Sequence, residues 1–261
     1  MTTPAPRRAA GRAGAVDPAV AGEVPPTHPL AYRLAFAFMR LLFDHYLSTR
    51  ITGRQHLPPP GQAAILAINH TSALDYVAGH AYGRPGFVAI KREAAYRPLR
   101  WIGGIPVQRD GQDMEALRAM RAVLASGQLL GIAPEGTRSR DGRLLPFDPG
   151  FIWLALKADV PVIPCAIHGA HVLLPPGRRW PRRGPLWVRI GAPMRWPDAG
   201  PRPSRPALQA MADEVRQTML GLLAELEAES GVTSPALDWE RRNVAGGGVL
   251  GAADEGPVAG A

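Results

Sequence analysis

Residues Ala63–Asp75 read AAILAINHTSALD, and this stretch decides the class of fold. Ala63 to Ile68 run without a polar interruption, which suits a short strand buried on both faces better than one with a solvent face. A polar junction, Asn69-His70-Thr71, follows, and the spacing then predicts a helix from about Ser72 to Tyr82. The same alternation continues downstream. Strands are predicted at Phe87–Ile90, Gln128–Ile132, Pro161–Ile167 and Leu186–Ile190, with helices at Asp113–Ser126, near Gly150–Lys157, and from Ser204 to near Gly231. In the last helix Leu208, Met211, Val215, Met219, Leu222 and Leu226 fall on one stripe. Strands alternating with helices imply an α/β fold: a single domain with a mixed, largely parallel sheet flanked by helices.

Composition agrees with one such domain. The chain has 261 residues, 46% of them hydrophobic, enough to bury a sizeable core. Its single cysteine, Cys165, excludes a disulfide framework and any Cys-based zinc site. Net charge is +8, and all but two of the 30 basic residues, Lys91 and Lys157, are arginine. Residues 1–27 carry only +1 and residues 232–261 carry −2, so the basic character belongs to the centre of the chain. A basic surface of this kind suits nucleic acid or an anionic membrane. Residues 1–27 and 232–261 are rich in Ala, Gly and Pro without a period, and both are expected to be disordered tails. The first of them lacks the continuous apolar core of a signal peptide.

Between the first tail and the domain lies the most apolar stretch, Leu30 to Leu47, reading LAYRLAFAFMRLLFDHYL. Arg33, Arg40 and Asp44 recur on one helical stripe and leave Leu34, Phe38, Leu41, Leu42 and Tyr46 on a wide apolar face. A central Arg or Asp costs roughly 2.5–3.5 kcal/mol on insertion, so a spanning helix is not expected. Residues 28–48 read instead as an amphipathic helix, either lying in a membrane interface or packing on the core as an ordinary first helix.

Three junctions concentrate chemically capable side chains. In the first, His70 and Asp75 are five residues apart, about 140° around a regular helix, and could not face each other on one. If the helix begins at Ser72, His70 lies ahead of it and can curl back over the first turn to meet Asp75. The carboxylate would then accept from Nδ1–H and leave Nε2 as a general base. The same residues also fit a capping box, Ser72-x-x-Asp75, with a purely structural task, which would leave a non-catalytic basic lipid-binding protein. The second junction, Pro134-Glu135-Gly136-Thr137-Arg138-Ser139-Arg140, offers a tight turn and forked cationic donors suited to phosphate, and equally reads as a solvated surface turn. The third, Gly103-Gly104-Ile105-Pro106-Val107-Gln108-Arg109, is a turn into a short extended segment ending in arginine.

Taken in order, NHTSALD, GGIPVQR, PEGTRS and VPVIP (Val160–Pro164) resemble the four blocks of the glycerolipid acyltransferase family, which includes bacterial lysophosphatidic acid acyltransferases. The resemblance spans roughly residues 28–230 and makes 49–231 the acyltransferase domain. It implies transfer of an acyl group from acyl-CoA or acyl-carrier protein to a glycerolipid hydroxyl, with lysophosphatidic acid as the expected acceptor. His70 would be the base and Asp75 its orienter. Arg109, Glu135, Gly136, Thr137 and Arg138 would bind the acceptor, and VPVIP would be a structural strand and turn near the site. No cofactor or metal is implied, because the thioester supplies the activated group. Membrane lipids are the expected partners, with peripheral attachment at the cytoplasmic face of the cell membrane, and nucleic acid is set aside.

Two departures from the family pattern stand out. Phe147-Asp148-Pro149-Gly150 places an acid where members often carry a base, which admits glycerol-3-phosphate or a lyso-aminolipid as the acceptor. Pro106 and Val107 stand where an aromatic commonly precedes the arginine of the second block. Outside the blocks, Arg178, Arg179, Arg182 and Arg183 surround Trp180, a composition suited either to an anionic lipid surface or to a solvated loop.

Overall fold

The computed structural model of the chain describes residues 23–75, 86–92, 97–108, 113–139, 141–175 and 177–245. Among these, seven strands form one sheet: β1 (Arg50–Thr52), β2 (Ala64–Ile68), β3 (Gly86–Lys91), β4 (Gly104–Val107), β5 (Leu129–Ile132), β6 (Val162–His168) and β7 (Trp187–Ile190). Their order across the sheet is β1-β7-β6-β2-β5-β3-β4. The five strands from β6 to β4 are parallel; β7 runs antiparallel to β6 and carries β1 parallel to itself at the edge. The helices are α1 (Pro29–Leu41), α2 (Arg97–Trp101), α3 (Met114–Ala125), α4 (Gly150–Ala158), α5 (Ala170–Leu173), α6 (Arg205–Ser230) and α7 (Pro235–Ala245). The expected α/β domain with a mixed, largely parallel sheet is the observed one.

The uninterrupted apolar run has the burial its composition predicts. All five residues of β2 are buried, and alternate side chains enter different clusters. Ile65 and Ala67 join the core beneath α3, α4 and α6, while Ala64, Leu66 and Ile68 join the opposite one with Phe43, Leu47, Cys165 and Leu173. Burial of both faces is what a central parallel strand requires. Helix boundaries follow their sequence signals. Asp113 accepts from Ala116 N–H at 3.0 Å to cap α3, and Ser204 accepts from Ala207 N–H at 3.3 Å to cap α6. Gly127, just past α3, has φ +76° and faces the carbonyl of Gly61, where an added Cβ would lie 2.2 Å from the oxygen. On α6, Val215, Met219 and Leu226 of the predicted stripe are buried together with Ala212 and Leu223.

Three features depart from the sequence reading. β1 is a short strand that pairs only with β7, far away in sequence, so its brief pattern carried no signal above loop, whereas the extended segment expected after the Gly103 turn forms β4 beside β3. The disordered tail expected from residue 232 is corrected over Pro235–Ala245, which forms α7; Ala236 is buried and Arg216 of α6 pairs with Glu240. Its apolar residues are too few to announce a helix alone, and it is stabilised by docking. The amphipathic helix divides: α1 passes into a π-helical turn, Leu42–Tyr46, and Leu42 and Tyr46 pack on the core instead of facing outward with Leu34, Phe38 and Leu41. The helix predicted to Tyr82 is described only to Asp75, since residues 76–85 lie outside the described set. Among the described residues, no helix is long and apolar enough to cross a membrane.

Candidate active site

Because β2 and β5 are adjacent and parallel, the segments that leave their carboxyl ends emerge side by side. The first block leaves β2 and the third leaves β5, although 65 residues separate His70 from Glu135. Such crevices beyond the carboxyl ends of parallel strands are where open α/β sheets bind ligands.

Asn69 closes β2 against its other neighbour. Its Nδ2 donates to the Ile167 carbonyl at 3.0 Å and its Oδ1 accepts from Ile167 N–H at 2.7 Å, pinning the end of β2 to β6. His70, next in the chain, turns back over the helix start, and its Nδ1 lies 3.4 Å from Asp75 Oδ2. The same oxygen accepts from the backbone N–H groups of Thr71 and Ser72, each at 2.6 Å. The helix-start role and the histidine-orienting role, alternatives on sequence, are thus filled by one atom. The His70 side chain is 25% exposed and that of Asp75 only 2%, so the carboxylate is held inside while the imidazole reaches the surface. With Nδ1 turned to Asp75, Nε2 is the nitrogen that can take a proton from a substrate hydroxyl.

The third block wraps around this pair. Glu135 Oε1 accepts from His70 N–H at 2.6 Å and Oε2 from Leu145 N–H at 2.9 Å. Burial pushes the Glu135 carboxyl up to about 8; the two amide bonds and the Arg216 charge oppose that rise, and the Asp75 charge adds to it. Gly136 then turns the chain with φ +66°, a left-handed conformation that glycine adopts without strain. Gly136, Thr137 and Arg138 are exposed, and Ser139 N–H returns to the His70 carbonyl at 2.9 Å. Four predicted site residues, Glu135 to Arg138, therefore stand beside His70 and Asp75. Arg109 lies outside the described residues, as does Arg140.

A family model described as Acyltransferase matches residues 48–168, which contain His70, Asp75 and Glu135 to Arg138. The 1-acyl-sn-glycerol-3-phosphate acyltransferase alpha of Ovis aries is 27% identical over 206 residues, 75% of this chain and 70% of that protein. The 1-acyl-sn-glycerol-3-phosphate acyltransferase of Limnanthes douglasii is 32% identical over 169 residues, 60% of this chain and 58% of its own length. Among solved structures, the 1-acyl-sn-glycerophosphate (LPA) acyltransferase of Thermotoga maritima shares the fold, with a TM-score of 0.57 and 24% identity over 73% of this chain and 79% of that one. The match over residues 48–168 and these relatives support the glycerolipid acyltransferase family for this chain.

Within this acyltransferase the remaining blocks have distinct places. VPVIP enters β6 at the amino end of the sheet, with Pro164 opposite Ala67, so the β6 residue that meets the site is Ile167. Asp148, the acid that departs from the family pattern, accepts from Gly150 N–H at 2.8 Å at the start of α4, and its own N–H holds the Pro134 carbonyl at 3.0 Å. Its carboxylate is engaged in the helix start. Sequence reading missed Asn69, whose only signal was a polar residue ending a buried strand. It also missed His168, the last residue of β6, and His171 on α5, whose rings are 6.2 Å apart and whose basicity is lowered by burial. Among the described residues, no group of three or more His, Cys, Asp or Glu side chains is placed to hold a metal ion.

Proposed function

We propose that the protein moves a fatty acyl group from a thioester, acyl-CoA or acyl-carrier protein, to the free hydroxyl of a 1-acylglycerol-3-phosphate. The observation that carries this reading is the His70–Asp75 pair, a base oriented across a helix start by a buried carboxylate. The acceptor hydroxyl attacks the thioester carbonyl while His70 Nε2 removes its proton. The tetrahedral intermediate then expels the thiolate, which takes that proton back, leaving an ester and a free thiol. Asp75 fixes the tautomer and stabilises the imidazolium between these steps. The activated acyl group comes with the donor, so the reaction calls for no metal or bound cofactor.

The acceptor's phosphate is assigned to Arg138 and Arg109, forked donors on the third and second blocks. The names of the relatives support lysophosphatidic acid as the acceptor. Asp148, the acid that admits other acceptors, is engaged at the start of α4, which gives it a structural task of its own. Peripheral attachment to a membrane is supported by α1. Leu30, Leu34, Phe38 and Leu41 are 51–62% exposed along one side, bordered by Arg33 and Arg40. Exposed tryptophans stand at both ends of this helix: Trp101 beside His28, and Trp180 in the arginine loop, which Tyr46 reaches through the Pro181 carbonyl at 3.1 Å.

The test is a purified-protein assay with oleoyl-CoA and a panel of lyso-acceptors. Wild type should esterify lysophosphatidic acid, and His70→Ala should lose about 10²–10⁴-fold in rate. Survival of activity in His70→Ala would overturn the base assignment, and a preference for uncharged headgroups would overturn the phosphate role of the two arginines.

A further inference from the structure

The family resemblance makes Glu135 an acceptor-binding residue, yet its hydrogen bonds point inward. Both carboxylate oxygens are taken by backbone amides, Oε1 by His70 N–H at 2.6 Å and Oε2 by Leu145 N–H at 2.9 Å. The neighbouring peptide of His70 is held as well, since its carbonyl accepts from Ser139 N–H at 2.9 Å. The backbone on both sides of the base is thus gripped by the turn that follows β5. That turn is itself braced: Arg216, nearly buried on α6, donates to the carbonyls of Leu144 and Leu145 and pairs with Glu240 on α7. We infer that Glu135 is a positioning residue for His70, clamping the backbone of the base to the turn after β5, and is not a ligand of the acceptor.

The inference rests on the reading of His70 as the general base and adds how that base is kept in place. An imidazole that meets Asp75 at 3.4 Å from a turn ahead of a helix has no helical backbone to fix it. Its direction depends on the peptide that carries it, and a shift of about 1 Å at a reacting group can cost about 100-fold in rate. The carboxylate form of Glu135 accepts both amides. Adding a proton turns one acceptor oxygen into a donor facing an N–H, so the clamp loosens as the group is protonated. The charged and titratable groups around it are Asp75 and His70 from the first block and Arg216 from α6, and burial among them places its ionisation at about 8. Activity should therefore rise with pH as Glu135 ionises.

Steady-state kinetics with oleoyl-CoA and 1-oleoyl-lysophosphatidic acid test this on the full chain, comparing wild type, Glu135→Gln and Glu135→Asp. The glutamine can satisfy one amide and opposes the other; the aspartate keeps the charge and is one methylene too short to span both. Both variants should lose about 10–100-fold in kcat with the acceptor KM within about threefold. The wild-type kcat should rise through an ionisation near 8 that is absent from Glu135→Gln. A raised acceptor KM with kcat retained would make Glu135 an acceptor ligand and overturn the inference, as would unchanged kinetics in both variants. If neither variant folds by circular dichroism, the wild-type profile decides alone, and a profile without an ionisation near 8 overturns the clamp. Activity surviving in His70→Ala would instead sink the base assignment, and His70→Ala inactive beside a fully active Glu135→Gln would sink only the clamp.

Discussion

Asp75 shows how much one side chain can carry in this site. Its Oδ2 meets three nitrogens, two backbone and one imidazole, while Oδ1 is buried without a hydrogen-bond partner among the described residues. In Asp75→Asn the side-chain carbonyl can keep the two amide bonds at the helix start, but the negative charge that steadies an imidazolium is gone. The expected outcome is a folded protein with kcat reduced about 10²–10⁴-fold, read by circular dichroism and steady-state assay. His168 governs a different property. It is buried against Trp187 with Nε2 3.0 Å from the Val232 carbonyl, and burial lowers it below the ordinary 6.5, as burial also lowers His171. Below that value the unfolded chain takes up protons that the folded protein resists, so this contribution to stability is complete above about 6.5 and lost as pH falls. Thermal midpoints measured from pH 7.5 to 5 should drop, and His168→Gln should flatten the drop.

At the scale of elements, α1 and α6 obey the same amphipathic rule with opposite partners. The apolar stripe of α6 is covered by the sheet, and the outward stripe of α1 has Leu34 and Phe38 in solvent. Seating one such side chain in lipid stabilises by about 1.5–3 kcal/mol. Leu34→Glu and Phe38→Glu should each lower co-sedimentation with phosphatidylglycerol-containing vesicles at least about tenfold, with activity on detergent-dispersed substrate kept. The cap of α6 gives a smaller, cleaner number. Ser204→Ala should cost about 1 kcal/mol, or about 2–4 °C in Tm for a domain of this size, in a calorimetric scan. Elements of this kind were legible in the chain because caps, stripes and terminal glycines are local signals. β1 and α7 were not, because each is stabilised chiefly by something distant in sequence: β1 by β7, and α7 by the Arg216–Glu240 and Glu227–Arg241 pairs and by covering the core at Ala236.

Over the whole molecule, the sheet order turns separate blocks into one site. Placing β2 between β6 and β5 brings Asn69, His70 and Glu135 together and leaves β4, the strand of the second block, at the sheet edge. α7 extends this assembly by bracing Arg216 and through it the loop at Leu144 and Leu145. A chain ending at Gly231 should therefore melt about 5 °C lower or more, and it should also lose kcat through loosened support of Glu135. Circular dichroism melting and the acyl-transfer assay on the same preparation check both.

The sequence by itself determined the α/β class, the run of β2 and the spans of α3 and α6, because periodicity acts over a few residues, and it offered the His70–Asp75 pairing as one of two readings of the first junction. Tertiary structure alone decided that β7 and β1 run against the other strands, that α7 docks, and that Leu42 and Tyr46 turn into the core. It also decided that Glu135 faces the backbone of His70, since a carboxylate seeks whichever donors the fold brings to it, and those donors come from β2 and from the loop before α4.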